Sequence, residues 1–168
     1  MNKYMLYENI FRAFSEVGLK YVIIGGIAVN LHGYDRHTGD LDIAIAITDE
    51  EIRKFIHAVE KLKMIPRVPV KLQDFANYQK REEWINEKGM KAFSVYNPKN
   101  PIEHIDVMIE HIIAFDTLYA NSVVMSDNDL TLRIANIPDL IRLKKHAGRE
   151  RDLIDIRALE RLEKIKNG

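Results

Sequence analysis

GGIAVNLHGYDRHTGDLDIAI, running from Gly25 to Ile45, is the stretch on which the fold turns. It follows an apolar tetrapeptide, YVII (21–24), which reads as a short strand ending at Gly25-Gly26. IAVNLHG then reads as a short helix, so the glycines sit between a strand and a helix. LDIAIAI (41–47) is a second strand. Ile43, Ile45 and Ile47 face one way, and Asp40, Asp42, Ala44 and Ala46 the other. Asp40 and Asp42 therefore project side by side, with Asp40 at the strand's entrance. Two bare carboxylates this close repel, and one protonates unless a cation intervenes. Mg²⁺ prefers hard oxygen ligands and would relieve that repulsion.

Outward from this stretch, helix and strand patterns alternate. Leu6, Ile10, Phe11, Phe14 and Val17 recur at helical spacing ahead of Gly18, which can cap that helix. Thr48 can be the N-cap of a helix buried through Ile52, Phe55, Ile56, Val59 and Leu62, with Glu51 closing a capping box. Pro66 and Pro69 mark a break. DFANYQKREEWINEKG (74–89) reads as a helix with Phe75, Tyr78 and Ile85 on its inner stripe. Helical spacing makes Phe75, Tyr78 and Trp84 core or interface residues rather than a base-stacking platform. KAFSVYN (91–97) and IEHIDVMI (102–109) are strands around an NPKNP turn, and SVVMS, DND and LTLRIA form a further hairpin. Ile137-Pro138 opens a helix through Ala147, with Pro138 suited to the first turn. Gly148 interrupts, and a charged helix runs from about Arg151 to Lys164. The order predicts one α+β domain over 1–168: a mixed β-sheet backed by helices over 1–136, with a helical C-terminal segment over 137–168.

A chain of 168 residues can bury a substantial core without staples. Its formal net charge is zero, so no global field favours nucleic acid or a membrane surface. The absence of cysteine excludes disulfides and thiolate chemistry, and leaves zinc only histidine and carboxylate ligands. MNKYMLYENIFRAF lacks the continuous apolar core of a signal peptide, and no apolar run reaches membrane-spanning length. These features predict a cytoplasmic enzyme or binding protein with no membrane partner.

A third acid extends the pair. Asp106 lies in HIDVMI with apolar neighbours on both sides. If its strand pairs with 41–47, three carboxylates converge. Such a trio can hold two metal ions roughly 4 Å apart, which clamp the attacking and leaving oxygens of a phosphoryl displacement. Gly25-Gly26 offers bare backbone and a helix N-terminus to a phosphate. G-x-G-x-x-G and G-K-[ST] are both absent, so this is neither a dinucleotide fingerprint nor a P-loop. Arg36 and Thr38 read two ways, as phosphate contacts or as capping groups in a loop. Lys144, Lys145 and Arg149 suit a triphosphate, and equally suit the C-terminus of a helix. Asp152 and Asp155 complement the dipole at a helix N-terminus. His104 shares a strand face with Asp106, but a lone strand histidine is more often structural. The plain alternative for the acids is that they are hydrated and cap strand edges.

A glycine pair, a spacer, Asp-hydrophobic-Asp and a later strand Asp together resemble the signature of the polymerase-β-type nucleotidyltransferase superfamily. The pattern GG…G…R.T.DLDI is similar to small bacterial nucleotidyltransferase-like proteins, which include toxins of abortive-infection and toxin–antitoxin systems. The tail resembles the same group: Pro138-Asp139-Leu140-Ile141 leads to Lys144, and Arg151-Asp152-Leu153-Ile154-Asp155 follows. Residues 20–47, 100–110 and 137–160 carry the resemblance, and 60–100 carry none of it. The resemblance implies a nucleotidyltransferase-like fold and Mg²⁺-dependent transfer of a nucleoside monophosphate (NMP) from a nucleoside triphosphate (NTP) to a hydroxyl of RNA, protein or a small molecule. By position, Asp40 and Asp42 would bind metal, and Asp106 would be the third carboxylate, both ligand and base. Two Mg²⁺ ions would be held. Gly25, Gly26, Arg36, Thr38 and Lys144 would serve the nucleotide, as would Asp152, for which Asp155 is an alternative. A cognate antitoxin is the partner implied for a toxin-type member, and the C-terminal helices could pair two copies. The same likeness allows a second reading, a catalytically silent nucleotidyltransferase fold acting as a binding or toxin–antitoxin partner.

Overall fold

The computed structural model describes residues 7–127 and 129–168. Leu6, the first residue of the expected helical stripe, and Asn128, the middle of the expected DND turn, lie outside them. Tyr21–Ile24 (β1) pairs antiparallel with Leu41–Ile45 (β2), placing Ile24 opposite Asp42. Asn100–Met108 (β5) lies parallel to β2, with Asp42 opposite Asp106. Ala92–Asn97 (β4) and the two-residue strand Ile65–Pro66 (β3) extend the sheet beyond β5. Val123–Asp127 (β6) and Leu130–Ile134 (β7) form the expected hairpin, and β7 joins β1 in parallel. Among the described residues these strands make one seven-stranded mixed sheet, ordered β3-β4-β5-β2-β1-β7-β6.

Opposite residues on paired strands share a face, so the register divides the sheet chemically. One face carries Ile23, Ile43, Phe93, Val95, Ile105 and Val107, all fully buried. An aromatic chain covers it. Phe14 of Glu8–Val17 (α1) meets Phe55 of Asp49–Lys61 (α3), Phe55 meets Phe75, and Phe75 and Trp84 stack on Phe93 at 4.7 and 5.5 Å. The other face carries Asp42, Ala44, Ser94, His104, Asp106 and Met108. Ile137–Ala147 (α6) and Glu150–Asn167 (α7) pack together, and α6 also meets Gly25–Leu31 (α2).

Local chemistry accounts for the helix ends. Gly18 and Gly148 close α1 and α6 in the left-handed conformation, as their positions predicted. Thr48 caps α3 by accepting the Glu51 N–H at 3.2 Å. The Glu51 carboxylate turns instead to the Lys20 N–H and to Lys54.

Three expectations need correction. The helix anticipated over 74–89 is broken: Leu72–Ala76 is a 3₁₀ turn, and Asn77 caps a new helix, Tyr78–Asn86 (α4). The break resets the helical phase, so Arg81 and Trp84 turn inward and Tyr78 is 66% exposed. The break marked by Pro66 and Pro69 hides β3, where Pro66 is tolerated because an edge strand needs no donor there. Phe115–Asn121 (α5) was not anticipated at all. Only Phe115 and Leu118 are buried in it, too few to show a period.

Candidate active site

Asp42 and Asp106 stand opposite each other on parallel strands, so both side chains leave the same face. They hydrogen-bond to each other. Burial first, then the Asp106 charge, pushes Asp42 up to about 8, against the opposing pull of Lys144. In the metal-free protein the pair therefore keeps a shared proton to higher pH than an ordinary carboxyl would. Ser94, opposite Asp106 on β4, donates its hydroxyl to Asp106 Oδ1 at 2.5 Å, and His104 Nε2 lies 2.7 Å from the same oxygen. Asp40 stands off from this pair. Its side chain is 55% exposed, with Oδ1 3.4 Å from His104 Nδ1. The Tyr7 hydroxyl donates to the carbonyl of Gly39, just ahead of Asp40. Burial, then the charges of Asp40 and Asp42, push Tyr7 up to about 12.

The two glycines have separate duties. Gly25 begins α2 at φ +69°, and a Cβ there would fall on the Asp42 carboxylate. A Cβ on Gly26 would fall on Thr38 and the Arg36 guanidinium. Both positions exist to let side chains approach the backbone. Gly25→Ala is accordingly expected to cost more than Gly18→Ala. Both sit at φ +69°, but Gly18 has open space around its missing Cβ. Left-handed strain of about 1–2 kcal/mol applies to both. Overpacking against Asp42 adds about 1–3 kcal/mol at Gly25 alone. Equal losses in urea unfolding would show that Asp42 does not press on Gly25.

A cavity of about 410 Å³ opens over these groups, lined by Gly25, Asp40, Asp42, Asp106, Lys144 and Asp152. Leu118, Leu140, Leu143, Ile112 and Ile113 supply an apolar wall, and the exposed Lys91, Arg149 and Arg151 also line it. Gly26, Arg36 and Thr38 are not among the residues that line it. Arg36 makes a bidentate pair with the buried Asp155, at 2.8 and 2.7 Å. Lys144 Nζ reaches Asp155 at 2.8 Å and Asp152 at 3.5 Å. Asp152 caps α7 by accepting the Arg149 N–H, and also takes the Arg149 guanidinium at 2.8 Å. Burial would raise the Asp152 pKa, but these Arg149 hydrogen bonds outweigh it and hold the carboxyl below its ordinary value. Asp152 and Asp155 are therefore more than dipole complements: they bind three cations, Arg36 and Arg149 from loops and Lys144 from α6.

Among the described residues no group of three or more His, Asp or Glu is arranged to hold a metal ion. The three acids line one cavity, but only Asp42 and Asp106 touch. Their donor set nonetheless fits a hard divalent cation: two side-by-side carboxylates that share a proton offer the place a cation would take. Sequence reasoning missed Ser94 and the buried pairing of Asp155. Neither carries a local signal, because each is defined by a partner on a distant strand or loop.

Residues 6–166 match the model of a family described as nucleotidyltransferase of unknown function (DUF6036). The chain belongs to that family. The solved structures similar to this chain include the lincosamide antibiotic adenylyltransferase LnuA with lincomycin bound. The TM-score is 0.60 at 17% identity, over 96% of this chain and 98% of that one. An antigenic nucleotidyltransferase-like protein from Paracoccidioides brasiliensis gives a TM-score of 0.55 at 13% identity, over 94% and 73% of the two chains. No curated protein matches the chain at the sequence level. The structural likenesses support the fold. No helix among the described residues is long and apolar enough to cross a membrane.

Proposed function

We propose that this chain is a single-domain, Mg²⁺-dependent nucleotidyltransferase that moves an NMP from an NTP to a hydroxyl of RNA, protein or a small molecule in the cytoplasm. The observation that carries the reading is the in-register Asp42–Asp106 pair at a cavity that also holds Lys144 and an apolar wall. Asp42 and Asp106, joined by Asp40 on a change of its rotamer, would hold the divalent ions. When bound, such ions acidify the acceptor hydroxyl and neutralise the departing pyrophosphate. Gly25 and the start of α2 face the phosphates, Lys144 and Arg149 offset their charge, and the apolar wall takes the base or the acceptor. The acceptor oxygen forms a bond to the α-phosphorus, the bond to pyrophosphate breaks, and Asp106 takes the hydroxyl proton. The adenylyltransferase activity of LnuA is of this class.

One observation favours a second reading. Lys144 and Arg149 already have carboxylate partners in Asp152 and Asp155, so a triphosphate must compete for them. A catalytically silent fold that binds a partner, such as an antitoxin or a second copy, would keep that arrangement undisturbed. Incubation with each α-labelled NTP, Mg²⁺ and RNA, protein and small-molecule extracts separates the two. Label transferred to any acceptor supports the enzyme. Nucleotide binding by calorimetry without transfer to any acceptor supports the silent fold.

A further inference from the structure

We infer that Arg67, acting through His104, is a positioning residue for Asp106, an inference that rests on the metal-site reading proposed above. Asp106 Oδ1 accepts from both Ser94 Oγ and His104 Nε2, at 2.5 and 2.7 Å. A carboxylate oxygen offers two lone-pair sites, and both at Oδ1 are used. Oδ2 is therefore the oxygen left to ligate a cation shared with Asp42.

Arg67 sets the direction of the histidine bond. Its Nη2 lies 2.9 Å from His104 Nδ1. A guanidinium has donors and no acceptor, so Nδ1 is the accepting nitrogen and the ring proton sits on Nε2, facing Asp106. Asp40 Oδ1 lies 3.4 Å from the same Nδ1 and competes for a ring proton there. With Arg67 present, His104 donates to Asp106 and leaves Asp40 to turn toward the cavity. Without Arg67, the tautomer with its proton on Nδ1 becomes available. Asp40 is then engaged by the ring, and Asp106 Oδ1 loses a donor.

The strands hold Arg67 in place. Its backbone N–H donates to the Ser94 carbonyl at 2.9 Å, continuing the β3–β4 ladder past Pro66. Its guanidinium lies over the Tyr96 ring, 5.4 Å from the centroid. Ser94 thus ties both ends together: its carbonyl holds Arg67, and its hydroxyl holds Asp106. The edge strand that looked like a mere proline break delivers the group that orients the third carboxylate.

Electron paramagnetic resonance of Mn²⁺ bound to the full chain tests this without turnover. Arg67→Met and His104→Phe are expected to weaken Mn²⁺ binding roughly tenfold or more, the range seen when hydrogen bonds behind a metal ligand are removed. His104→Gln, whose amide N–H reaches the place of Nε2–H, is expected to bind close to wild type. Melting temperatures of Arg67→Met and wild type should agree, since Arg67 is exposed. Simple charge predicts the opposite sign for Arg67→Met, because removing a nearby cation tightens cation binding. Equal or tighter Mn²⁺ binding by Arg67→Met, beside a wild type that binds, overturns this inference alone. So does His104→Gln binding as poorly as His104→Phe, because packing and not the hydrogen bond would then be at stake. If His104→Phe does not fold, Arg67→Met decides. A wild type that binds no Mn²⁺, with or without an NTP analogue, overturns the metal-site reading and this inference with it.

Discussion

Asp42→Asn is expected to abolish Mg²⁺-dependent nucleotide binding and, in the same metal-free protein, to raise the melting temperature at pH 8. The two effects have one cause. Burial and the neighbouring Asp106 charge push Asp42 up to about 8, so ionising it inside the fold is unfavourable. Its pKa is raised above the unfolded value, and the native state binds more protons than the unfolded state between about pH 4 and 8. Stability therefore falls as pH rises through that window, and the penalty is complete above it. Asparagine keeps the shape and removes the penalty. The variant should melt above wild type at pH 8 and alongside it at pH 4. Loss of a metal-binding carboxylate removes several kcal/mol of charge stabilisation, so transfer should fall at least about a hundredfold. Gaining stability while losing function is the pattern of a strained site residue. Asp42→Asn melting below wild type at pH 8 would show a structural carboxylate instead. Thermal melts from pH 4 to 9 in the presence of a chelator, with calorimetry of Mg²⁺ and each NTP, decide the matter.

Asp155→Asn is expected to lower the melting temperature by roughly 10 °C, because losing one partner of a buried pair costs about 3–5 kcal/mol. Asp155 is 1% exposed and answers to two cations, Arg36 from the loop after α2 and Lys144 on α6. Removing its charge deprives both cations of that carboxylate, while Lys144 keeps Asp152 at 3.5 Å. The double variant Lys144→Met/Asp155→Asn should lose less than the sum of the two single changes, since each already breaks the same bond. Strict additivity in urea unfolding would mean that the pair is not coupled. The network matters for the site as well as for the fold. It holds the α6–α7 corner against α2, and so sets where Lys144 and Arg149 stand relative to Asp42.

The outline of this arrangement was legible in the sequence where the signal is local. Alternation along 41–47 separated Ile43 and Ile45 from Asp42 and Ala44, and the structure puts those sets on opposite faces of β2. Gly18, Thr48, Pro138 and Gly148 marked helix ends that form where expected. What the sequence held only conditionally was the pairing of the Asp106 strand with β2, since a period of two says which face a residue takes and not which strand lies beside it. Asp155 shows the limit most clearly. At the first turns of a charged helix it looks like Asp152, and what distinguishes it is Arg36, 119 positions earlier. Arg67 was hidden in the same way. Two prolines dominate its neighbourhood, and its role appears only when β3 lies along β4 and His104 is within reach.

The central claim is that Asp42 and Asp106 exchange their shared proton for a divalent cation. Crystals grown with Mn²⁺ and a non-hydrolysable NTP, measured for anomalous scattering from manganese, test it most directly. The account predicts a peak bonded to both carboxylates, with the phosphates lying between Gly25 and Lys144. A nucleotide bound elsewhere, or manganese absent while Asp42 still hydrogen-bonds to Asp106, would contradict it.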